Sequence, residues 1–456
     1  MVLPAAAATE RIVLPLPALA PAEVAGDRVI SRLREEGHAA LRVGGCIRDR
    51  LLGRTVADVD VATSALPAQV QDLFPRTYAV GAAFGVIIVH ADNGIDIEVA
   101  TFREERGYAD GRHPDEIRFA GPAEDAQRRD FTINALYYDP PAGTLLDFTG
   151  GLRDLQRGMV RAIGDPAARF REDGLRLLRA VRFAAELGFE LDPATAAAVT
   201  ELATGLERIS AERVSTELTR MLTGRAPAVA LRRLSELGLL KHWLPEVDAM
   251  GGVCQPPQFH PEGDVWQHTL AMLELLRGAS ETLAWAVLLH DVGKPPTFEF
   301  RDGRERFPRH ARVGADAVRD IFGRLRASRQ LADDVAEIVA NHMSFADVDK
   351  MRPATIRRLM ARPTFADELE LHRLDCLASH GKLDNYVFLL DQIAARAAEP
   401  AIPPPLLTGD DVLALGLPPG PRVGLILREV QERQLNGELR TSQEALEWAK
   451  AWLKND

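Results

Sequence analysis

The pattern of apolar residues changes near residue 166, and this change constrains the fold more than any other feature of the sequence. From residue 39 to about 165, short apolar runs such as residues 86–89 alternate with Gly- and Pro-containing turns, which is typical of strands packed on helices. Beyond residue 166, apolar side chains recur at helical spacing, as at Leu175, Leu178 and Val181. The sequence therefore predicts an α+β head with a mixed sheet, followed by a mostly α-helical remainder.

Two stretches rich in helix-breaking residues divide the helical part further. Residues 250–261 are rich in Gly and Pro, and three consecutive prolines occupy residues 403–405. With the change near residue 166, they predict five segments. These are an N-terminal extension (1–21), the head (22–165), a helical neck (166–250), a third helical region (251–395) and a tail (396–456).

Composition limits the environment and the partners of the chain. The 456 residues carry a formal net charge of −11, which argues against indiscriminate coating of nucleic acid, so any RNA contact should use local basic patches. Only three cysteines occur, far apart at Cys46, Cys254 and Cys376, so we expect a reducing compartment and no disulfide framework. No signal peptide and no apolar run of roughly 20 residues is evident. We therefore expect a cytoplasmic protein without a membrane partner.

The first candidate site combines a glycine turn with two carboxylates. Gly44 and Gly45 follow an apolar run, where glycines permit a tight turn whose backbone N–H groups suit a triphosphate. Arg48 lies one turn into the helix that should follow, where a guanidinium can pair with phosphate oxygens. Asp58 and Asp60 should alternate on one strand, so that both side chains leave the same face. Two such carboxylates would hold Mg²⁺, which can activate a 3′-hydroxyl and stabilise leaving pyrophosphate.

Each of these features also has an ordinary explanation. A Gly-Gly pair is usually just a turn, and an Asp-x-Asp pattern in a chain with 66 acidic residues is usually a solvated strand edge. The order and close spacing of the features favour the catalytic interpretation.

Further polar residues follow within the head. Glu98 lies on a predicted strand and is either a third metal-site carboxylate or an exposed strand residue. Arg129 is a candidate phosphate clamp. Asn134 would either hydrogen-bond a ribose hydroxyl or cap a turn. The polar, glycine-containing loop at 104–116 is expected to be mobile.

The neck carries a cluster of arginines at helical spacing. Arg176, Arg179 and Arg182 recur every three residues, and residues 161–182 contain six Arg against three acidic residues. A salt-bridged, solvated helix face, with Asp173 and Arg176 as an i,i+3 pair, is the simplest explanation. A second explanation follows from base edges, because cytosine and adenine both present an amino donor beside a ring-nitrogen acceptor. Asp173 and Arg176 together would accept either base and refuse guanine and uracil, while Arg179 and Arg182 would face the triphosphate or the RNA backbone.

The ordered motifs resemble the class II tRNA nucleotidyltransferase and bacterial poly(A) polymerase family. They are Gly44-Gly45 with Arg48-Asp49, Asp58 with Asp60, Arg128-Arg129-Asp130 with Asn134, Asp147 with Gly150-Gly151 and Asp154-Leu155, and Glu172-Asp173 with Arg176. The resemblance covers residues 39–240 most densely. It implies a palm related to that of DNA polymerase beta, metals on Asp58 and Asp60, nucleotide contacts by Gly45, Arg48, Arg129, Arg179 and Arg182, and base reading by Asp173 and Arg176.

The same resemblance implies addition of C, C and A from CTP and ATP to the 3′ end of tRNA, with no role for DNA. Poly(A) polymerases of the family typically carry two basic residues where this chain has Ala82 and Ala83, which favours the tRNA branch. The loop at 104–116 resembles the flexible element needed for A addition. An enzyme that adds only the final A, and a poly(A) polymerase, remain as alternatives.

A third candidate site lies beyond residue 260. Six residues with nitrogen or oxygen ligands lie on successive predicted helices, and such ligands suit Mn, Fe, Ni or Mg. They are His268, His290, Asp291, His310, His342 and Asp375. Their order resembles the HD phosphohydrolase superfamily, which implies one metal on His268, His290, Asp291 and Asp375 and a second supported by His310 and His342. Phosphoester hydrolysis here as the main activity, a body that only holds tRNA, and an RNA-binding protein with an inactive head are the competing hypotheses.

Overall fold

A computed structural model describes the chain in two compact units, Met1–Pro245 and Glu246–Asp456. The described residues are 12–13, 19–81, 85–91, 94–106, 116–397 and 399–455. Most of the predicted N-terminal extension, Ala82 and Ala83, and residues 107–115 of the predicted mobile loop lie outside these ranges. The division between the units falls close to the predicted boundary at residue 250, and the five predicted segments remain predictions.

The first unit is built on a mixed sheet, as the sequence predicts, and this sheet has eight strands. The strands of the unit are β1 (Ile12–Val13), β2 (Ala40–Val43), β3 (Asp60–Thr63), β4 (Thr77–Gly81), β5 (Val86–His90), β6 (Asp96–Thr101), β7 (Arg103–Arg106), β8 (Glu116–Phe119), β9 (Leu136–Asp139), β10 (Thr144–Asp147), β11 (Met159–Val160) and β12 (Glu190–Leu191). The strand order of the eight-stranded sheet is β1-β10-β9-β2-β3-β6-β5-β4, and strands β3 and β6 are the parallel neighbours in it. All four residues of β2 are buried, and the one charged residue among them, Arg42, is paired with Glu23 and Asp27. Strands β7 and β8 pair with each other, so the described ends of the loop at 104–116 form a hairpin.

The helices of the first unit follow the predicted periodicity closely. They are α1 (Pro21–Glu35), α2 (Gly45–Leu51), α3 (Pro67–Leu73), α4 (Pro122–Gln127), α5 (Gly151–Gln156), α6 (Pro166–Glu172), α7 (Leu175–Leu187), α8 (Pro193–Glu201), α9 (Ala211–Leu222), α10 (Pro227–Glu236) and α11 (Leu240–Trp243). Many begin with proline, whose fixed φ and missing N–H suit the first helical turn. The fold class is therefore as predicted.

The neck helix is interrupted where the sequence pattern suggested a continuous helix. Asp173 adopts an extended conformation that ends α6, and α7 begins at Leu175. Between them, a Cβ on Gly174 would lie 3.0 Å from a side-chain carbon of Ile209, so the backbone approaches the neighbouring segment closely. Arg176, Arg179 and Arg182 all lie on α7, as expected.

The second unit is mainly helical, with α12 (Pro245–Asp248) at its start. Its other helices are α13 (Val265–Leu275), α14 (Glu281–Leu289), α15 (Lys294–Thr297), α16 (His310–Leu325), α17 (Arg329–Asn341), α18 (Pro353–Met360), α19 (Phe365–Ala378), α20 (Asp384–Ala395), α21 (Gly409–Leu413), α22 (Pro421–Leu435) and α23 (Ser442–Asn455). In helix α14, every residue from Leu283 to Leu289 is buried. None of the helices in the described ranges combines the length and apolar character that crossing a bilayer requires.

A β-hairpin interrupts this unit, within the third region (251–395) that the sequence predicts to be helical. Strands β13 (Glu299–Arg301) and β14 (Arg304–Arg306) pair in antiparallel register. Asp302 and Gly303 connect them with φ values of 55° and 72°. An Asp-Gly pair favours such a two-residue turn because both residues tolerate positive φ. The preference of this Asp-Gly pair for a turn therefore produces a hairpin between helices α15 and α16.

Candidate active site and metal centre

The glycine turn of the head lies against the candidate catalytic carboxylate. Gly44 adopts a φ of 86°, and its N–H donates to the carbonyl of Leu136 on β9. A Cβ on Gly44 would lie 3.6 Å from a carboxylate oxygen of Asp60 and 3.7 Å from Nη1 of Arg129. Helix α2 begins at Gly45 directly after this turn. The turn therefore brings the backbone close to both a carboxylate and a guanidinium, and the guanidinium can pair with a phosphate.

Three carboxylates lie near the start of β3, although Asp58 is not on the strand. The strand begins at Asp60, and Asp58 precedes it in exposed, irregular backbone, so the predicted alternation of the two residues on one strand is wrong. Asp60 faces Glu98 across the parallel pair β3–β6. Burial raises the pKa of Asp60 to about 6, and the charges of Glu98 and Asp58 contribute. A divalent cation would relieve this repulsion, and an all-oxygen donor set suits Mg²⁺.

A buried carboxylate that the sequence analysis missed positions Arg129. Asp125 accepts hydrogen bonds from Nε and Nη2 of Arg129 at 3.3 and 3.2 Å, and the hydroxyl of Tyr137 donates to it at 2.6 Å. Burial opposes ionisation of Asp125, but Arg129 and Arg128 hold its pKa below the ordinary value. Because these contacts use Nε and Nη2, Nη1 of Arg129 is directed toward the Gly44 turn. Only the i,i+4 spacing of Asp125 and Arg129 hinted at this pair.

A chain of polar contacts joins the head motifs to the neck. Nη1 of Arg48 donates to Asn134 at 2.6 Å, and the amide of Asn134 donates to Asp130 at 3.2 Å. Asp130 accepts two hydrogen bonds from Arg179 on α7. Residues from three separate sequence motifs are therefore connected through direct side-chain contacts.

Three arginines of this region pack against the ring of Phe183. The guanidinium carbons of Arg48 and Arg179 each lie 5.1 Å from the centre of its ring, and that of Arg182 lies at 4.3 Å. Arg182 is buried and donates to Glu217 at 2.6 Å, a partner that sequence spacing did not suggest. The predicted nucleotide contacts of Arg179 and Arg182 stay predictions, and in this structure both side chains are tied to acidic partners.

Asp173 and Arg176 are both ordered, but not by pairing with each other as the simplest sequence explanation suggested. Nη1 and Nη2 of Arg213 donate to the two carboxylate oxygens of Asp173 at 3.1 and 2.7 Å. Arg176 instead pairs with Glu172 at 2.6 Å and donates to the carbonyl of Arg128 in the head. The i,i+3 pair fails because Asp173 ends α6 and therefore does not share a helix with Arg176. Their base-reading role stays a prediction.

The six predicted HD ligands converge in the second unit. Nε2 of His268 lies 3.1 Å from Asp375, and Nε2 of His290 lies 3.1 Å from Asp291. Nε2 of His310 lies 3.1 Å from Nε2 of His342. The six predicted ligands therefore form one cluster and are not histidines and aspartates scattered through the core.

Within this cluster the donors form two groups that differ from the predicted division. One comprises His268, His290 and Asp375, and the other comprises Asp291, His310 and His342, each with ligand atoms within 4.8 Å of one another. Asp291 lies between them, because its Oδ1 is 3.7 and 3.8 Å from the histidines of the second group and its Oδ2 contacts His290. The carboxylate of Asp291 therefore has one oxygen near each group of donors. Within the described ranges, the head carboxylates form no group this close.

The hydrogen-bond partners of three of the histidines fit a metal centre. Nδ1 of His290, His310 and His342 each lies within 3.0 Å of a backbone carbonyl three residues earlier. An Nδ1–H donor leaves the lone pair of Nε2 for a cation. Burial lowers the pKa of His342 to about 4, which favours the neutral ligand form. In the described part of the chain, Nε2 of His290 and Oδ1 of Asp291 are buried without a hydrogen bond of suitable geometry.

Other side chains that the sequence analysis did not assign surround these ligands. Glu262 lies 2.6 Å from Nδ1 of His268 and 2.9 Å from Nδ1 of His260. Nζ of Lys294, three residues after Asp291, lies 2.6 Å from the carboxylate of that aspartate. A cavity of about 600 Å³ opens onto the centre, and Phe259 and Phe307 are among its lining residues.

Three successive parts of the chain match models of known protein families. A Poly A polymerase head domain matches residues 40–161, and a probable RNA and SrmB-binding site of polymerase A matches residues 188–250. An HD domain matches residues 265–378. The CCA-adding enzyme of Leuconostoc mesenteroides is 30% identical over 431 residues, which cover 92% of this chain and 94% of that protein. The chain belongs to the CCA-adding enzyme family.

Other CCA-adding enzymes match over the first part of the chain. That of Limosilactobacillus fermentum is 44% identical over 215 residues, 47% of this chain, and the chain spans about half (53%) of that relative. The crystal structure of a Bacillus stearothermophilus CCA-adding enzyme in complex with CTP superposes with a TM-score of 0.74 at 27% identity, covering 96% of this chain and 99% of that one. The predicted family resemblance and fold are therefore confirmed.

Proposed function

We propose that this protein adds CMP and AMP from CTP and ATP to the 3′ end of tRNA in a reaction that depends on a divalent metal. The observation that carries the proposal is the convergence of Gly44, Asp60 and Arg129 at one turn, connected through Asp130 to Arg179 of the neck. Its similarity to CCA-adding enzymes, one of them solved with CTP, supports the same substrates. Because tRNA is its substrate, we place the protein in the cytoplasm.

The residues of the head would have different roles, which follow from the chemistry of their side chains. Asp58 and Asp60 would hold Mg²⁺, which when bound activates the 3′-hydroxyl and neutralises charge on the pyrophosphate. Arg48 and Arg129 would bind the phosphates, helped by the backbone N–H of Gly45 at the start of α2. Asn134 is already oriented by Arg48 and would bind the ribose.

Residues around the start of the neck helix α7 would select the base. The carboxylate of Asp173 accepts from the amino group of C or A, and Arg176 donates to the ring nitrogen beside it. Arg213 fixes both oxygens of Asp173, so the acceptor has a set direction before the nucleotide binds. Nη2 of Arg176 donates a hydrogen bond to the backbone carbonyl of Arg128 in the head, and this contact connects the candidate base-reading residues to the phosphate site.

The decisive experiment supplies each nucleotide alone to tRNA that lacks its CCA end. We expect CTP alone to add two residues, and ATP to add the last one only after CTP. Addition of A alone, and only to tRNA ending in CC, would indicate an A-adding enzyme, and long A tails would indicate a poly(A) polymerase. Incorporation of neither C nor A would refute the proposal.

A second activity, phosphoester hydrolysis, is favoured by the histidine–aspartate cluster of the second unit. His268, His290 and Asp375 would hold one cation, and His310 and His342 a second, with Asp291 between them. Mixed imidazole and carboxylate ligands favour Mn, Ni or Fe, and a bound cation supplies an activated water. Hydrolysis of a 2′,3′-cyclic nucleotide by the wild type but not by His290→Ala is expected. Hydrolysis that survives this substitution would place the activity elsewhere.

A further inference from the structure

The hairpin β13–β14 presents three arginines on one face. Side chains directly opposite each other in an antiparallel pair share a face, and Arg301 pairs with Arg304 while Arg306 pairs with Glu299. Arg301, Arg304 and Arg306 therefore point the same way, with Arg301 opposite Arg304 and with Arg306 roughly 7 Å from Arg304 along β14. All three are exposed, and the side chain of Arg301 keeps 71% of its accessible surface. We call these three residues the arginine face.

The surroundings of the arginine face are positively charged in an otherwise acidic protein. Residues 294–312 contain six Lys or Arg and three Asp or Glu, a net charge of +3, whereas the chain carries −11. Asp302 neutralises part of this charge through Arg306 at 3.0 Å, and Glu299 shares the face. The remaining excess of cations suits a polyanion.

The arginine face leads into the cavity of the HD centre. Arg306 and Phe307, at the end of β14, line the cavity together with Lys294 and the candidate ligands. Phe259, another lining residue, keeps 56% of its surface exposed at this site. An exposed aromatic ring beside cations can stack a nucleobase, as in proteins that bind single strands. The cavity therefore offers places for a base and a phosphate, and the hairpin offers places for further phosphates.

We propose that the arginine face binds the backbone of a single-stranded RNA whose 3′-terminal phosphoester enters the HD cavity. This inference rests on the hydrolase activity proposed above and assigns its substrate as an RNA end rather than a free nucleotide. For a terminal 2′,3′-cyclic phosphate, the oxygen of one water forms a new P–O bond and one ribose P–O bond breaks. The released ribose oxygen takes a proton from that water, so an RNA with an open terminal phosphate results.

The test compares two substrates in the full-length protein supplied with Mn²⁺ or Ni²⁺. One is a ten-nucleotide RNA ending in a 2′,3′-cyclic phosphate, and the other is the 2′,3′-cyclic mononucleotide. The variant is Arg301→Ala/Arg304→Ala, which spares the cavity-lining Arg306. The matched control is Arg319→Ala/Arg329→Ala, since both residues are exposed arginines on helices α16 and α17 of the same unit.

We expect the hairpin variant to raise KM for the RNA about tenfold at low salt, with kcat unchanged and mononucleotide hydrolysis as in wild type. The salt dependence of RNA hydrolysis should also fall by about 1.4 in log–log slope, because two phosphate contacts are lost. Equal losses on both substrates, or an effect no larger than that of the control, would overturn the inference. Wild-type hydrolysis of the mononucleotide but not of the RNA would overturn the inference alone. Hydrolysis of neither would refute the hydrolase proposal.

Discussion

Nη2 of Arg179 lies 2.6 Å from Oδ2 of Asp130, and Nε of the same arginine donates to that oxygen at 2.9 Å. The contact joins the first long neck helix to the head motif 49 residues earlier. Phe131, next to Asp130, packs edge-to-face on Phe183 of the same helix. These two hydrogen bonds and the ring contact therefore fix the orientation of the neck helix relative to the sheet within the first unit, and they hold the candidate phosphate and base sites together.

This pair predicts a pH-dependent contribution to stability. Burial would raise the pKa of Asp130, but Arg179 outweighs it and lowers the pKa to about 2. Because the folded pKa is below the ordinary value of 3.8, the stabilisation is present above pH 4 and is lost as the pH falls toward 2. We expect Asp130→Asn to lose about 2 kcal/mol of unfolding free energy at pH 7 and much less near pH 2, measured by urea denaturation. An equal loss at both pH values would contradict the assigned charge interaction.

Removal of the candidate metal carboxylates should separate chemistry from binding. Asp58→Ala and Asp60→Ala should each lower nucleotide addition at least about a thousandfold, because the cation loses its ligands. Binding of tRNA, followed by fluorescence anisotropy, should stay close to that of wild type. The exposed Asp72→Ala on α3 serves as the control and should keep full activity. Loss of tRNA binding together with activity would make the aspartates structural.

Substitutions around Asp173 should change which nucleotide is added. Arg176→Ala should let UTP and GTP be incorporated, since the base edge loses a donor, and Arg213→Ala should do so more weakly by freeing Asp173. The measurement is the ratio of kcat/KM for CTP and UTP, with the exposed Arg208→Ala as the control. A decrease in rate with unchanged selectivity would remove the base-reading role.

Glu262 should control metal affinity without touching the metal. Its carboxylate accepts from Nδ1 of His268 and so directs Nε2 of that ring toward Asp375. Glu262→Gln should weaken Mn²⁺ or Ni²⁺ binding about 10- to 100-fold, measured by titration calorimetry after chelator treatment. The exposed Glu337→Gln on α17 should bind as wild type does. Nucleotide addition with Mg²⁺ should be unaffected, and unchanged metal affinity of Glu262→Gln would contradict this role.

Local sequence patterns predict much of this architecture correctly. The change of periodicity near residue 166 predicts a mixed sheet followed by helices, and strands β2, β3, β5 and β6 lie where apolar runs occur. The spacing of Arg176, Arg179 and Arg182 correctly predicts one shared helix. The predicted alternation of Asp58 and Asp60 on one strand is wrong, because β3 begins only at Asp60. The prediction of helices alone for the third region missed the hairpin β13–β14, whose two-residue turn is set by the local Asp302-Gly303 pair.

The sequence by itself determined the kinds of chemistry present, since the glycine turn, the carboxylates, the arginines and the histidine ligands are local features of residue type and spacing. Only the tertiary structure decided the partners of these groups. It joined Asp173 to Arg213, Arg179 to Asp130, Glu262 to His268, and Asp291 to both histidine groups. Most of these charges meet across separate elements, so packing of the elements sets their distances, and spacing along the chain carries little information about it.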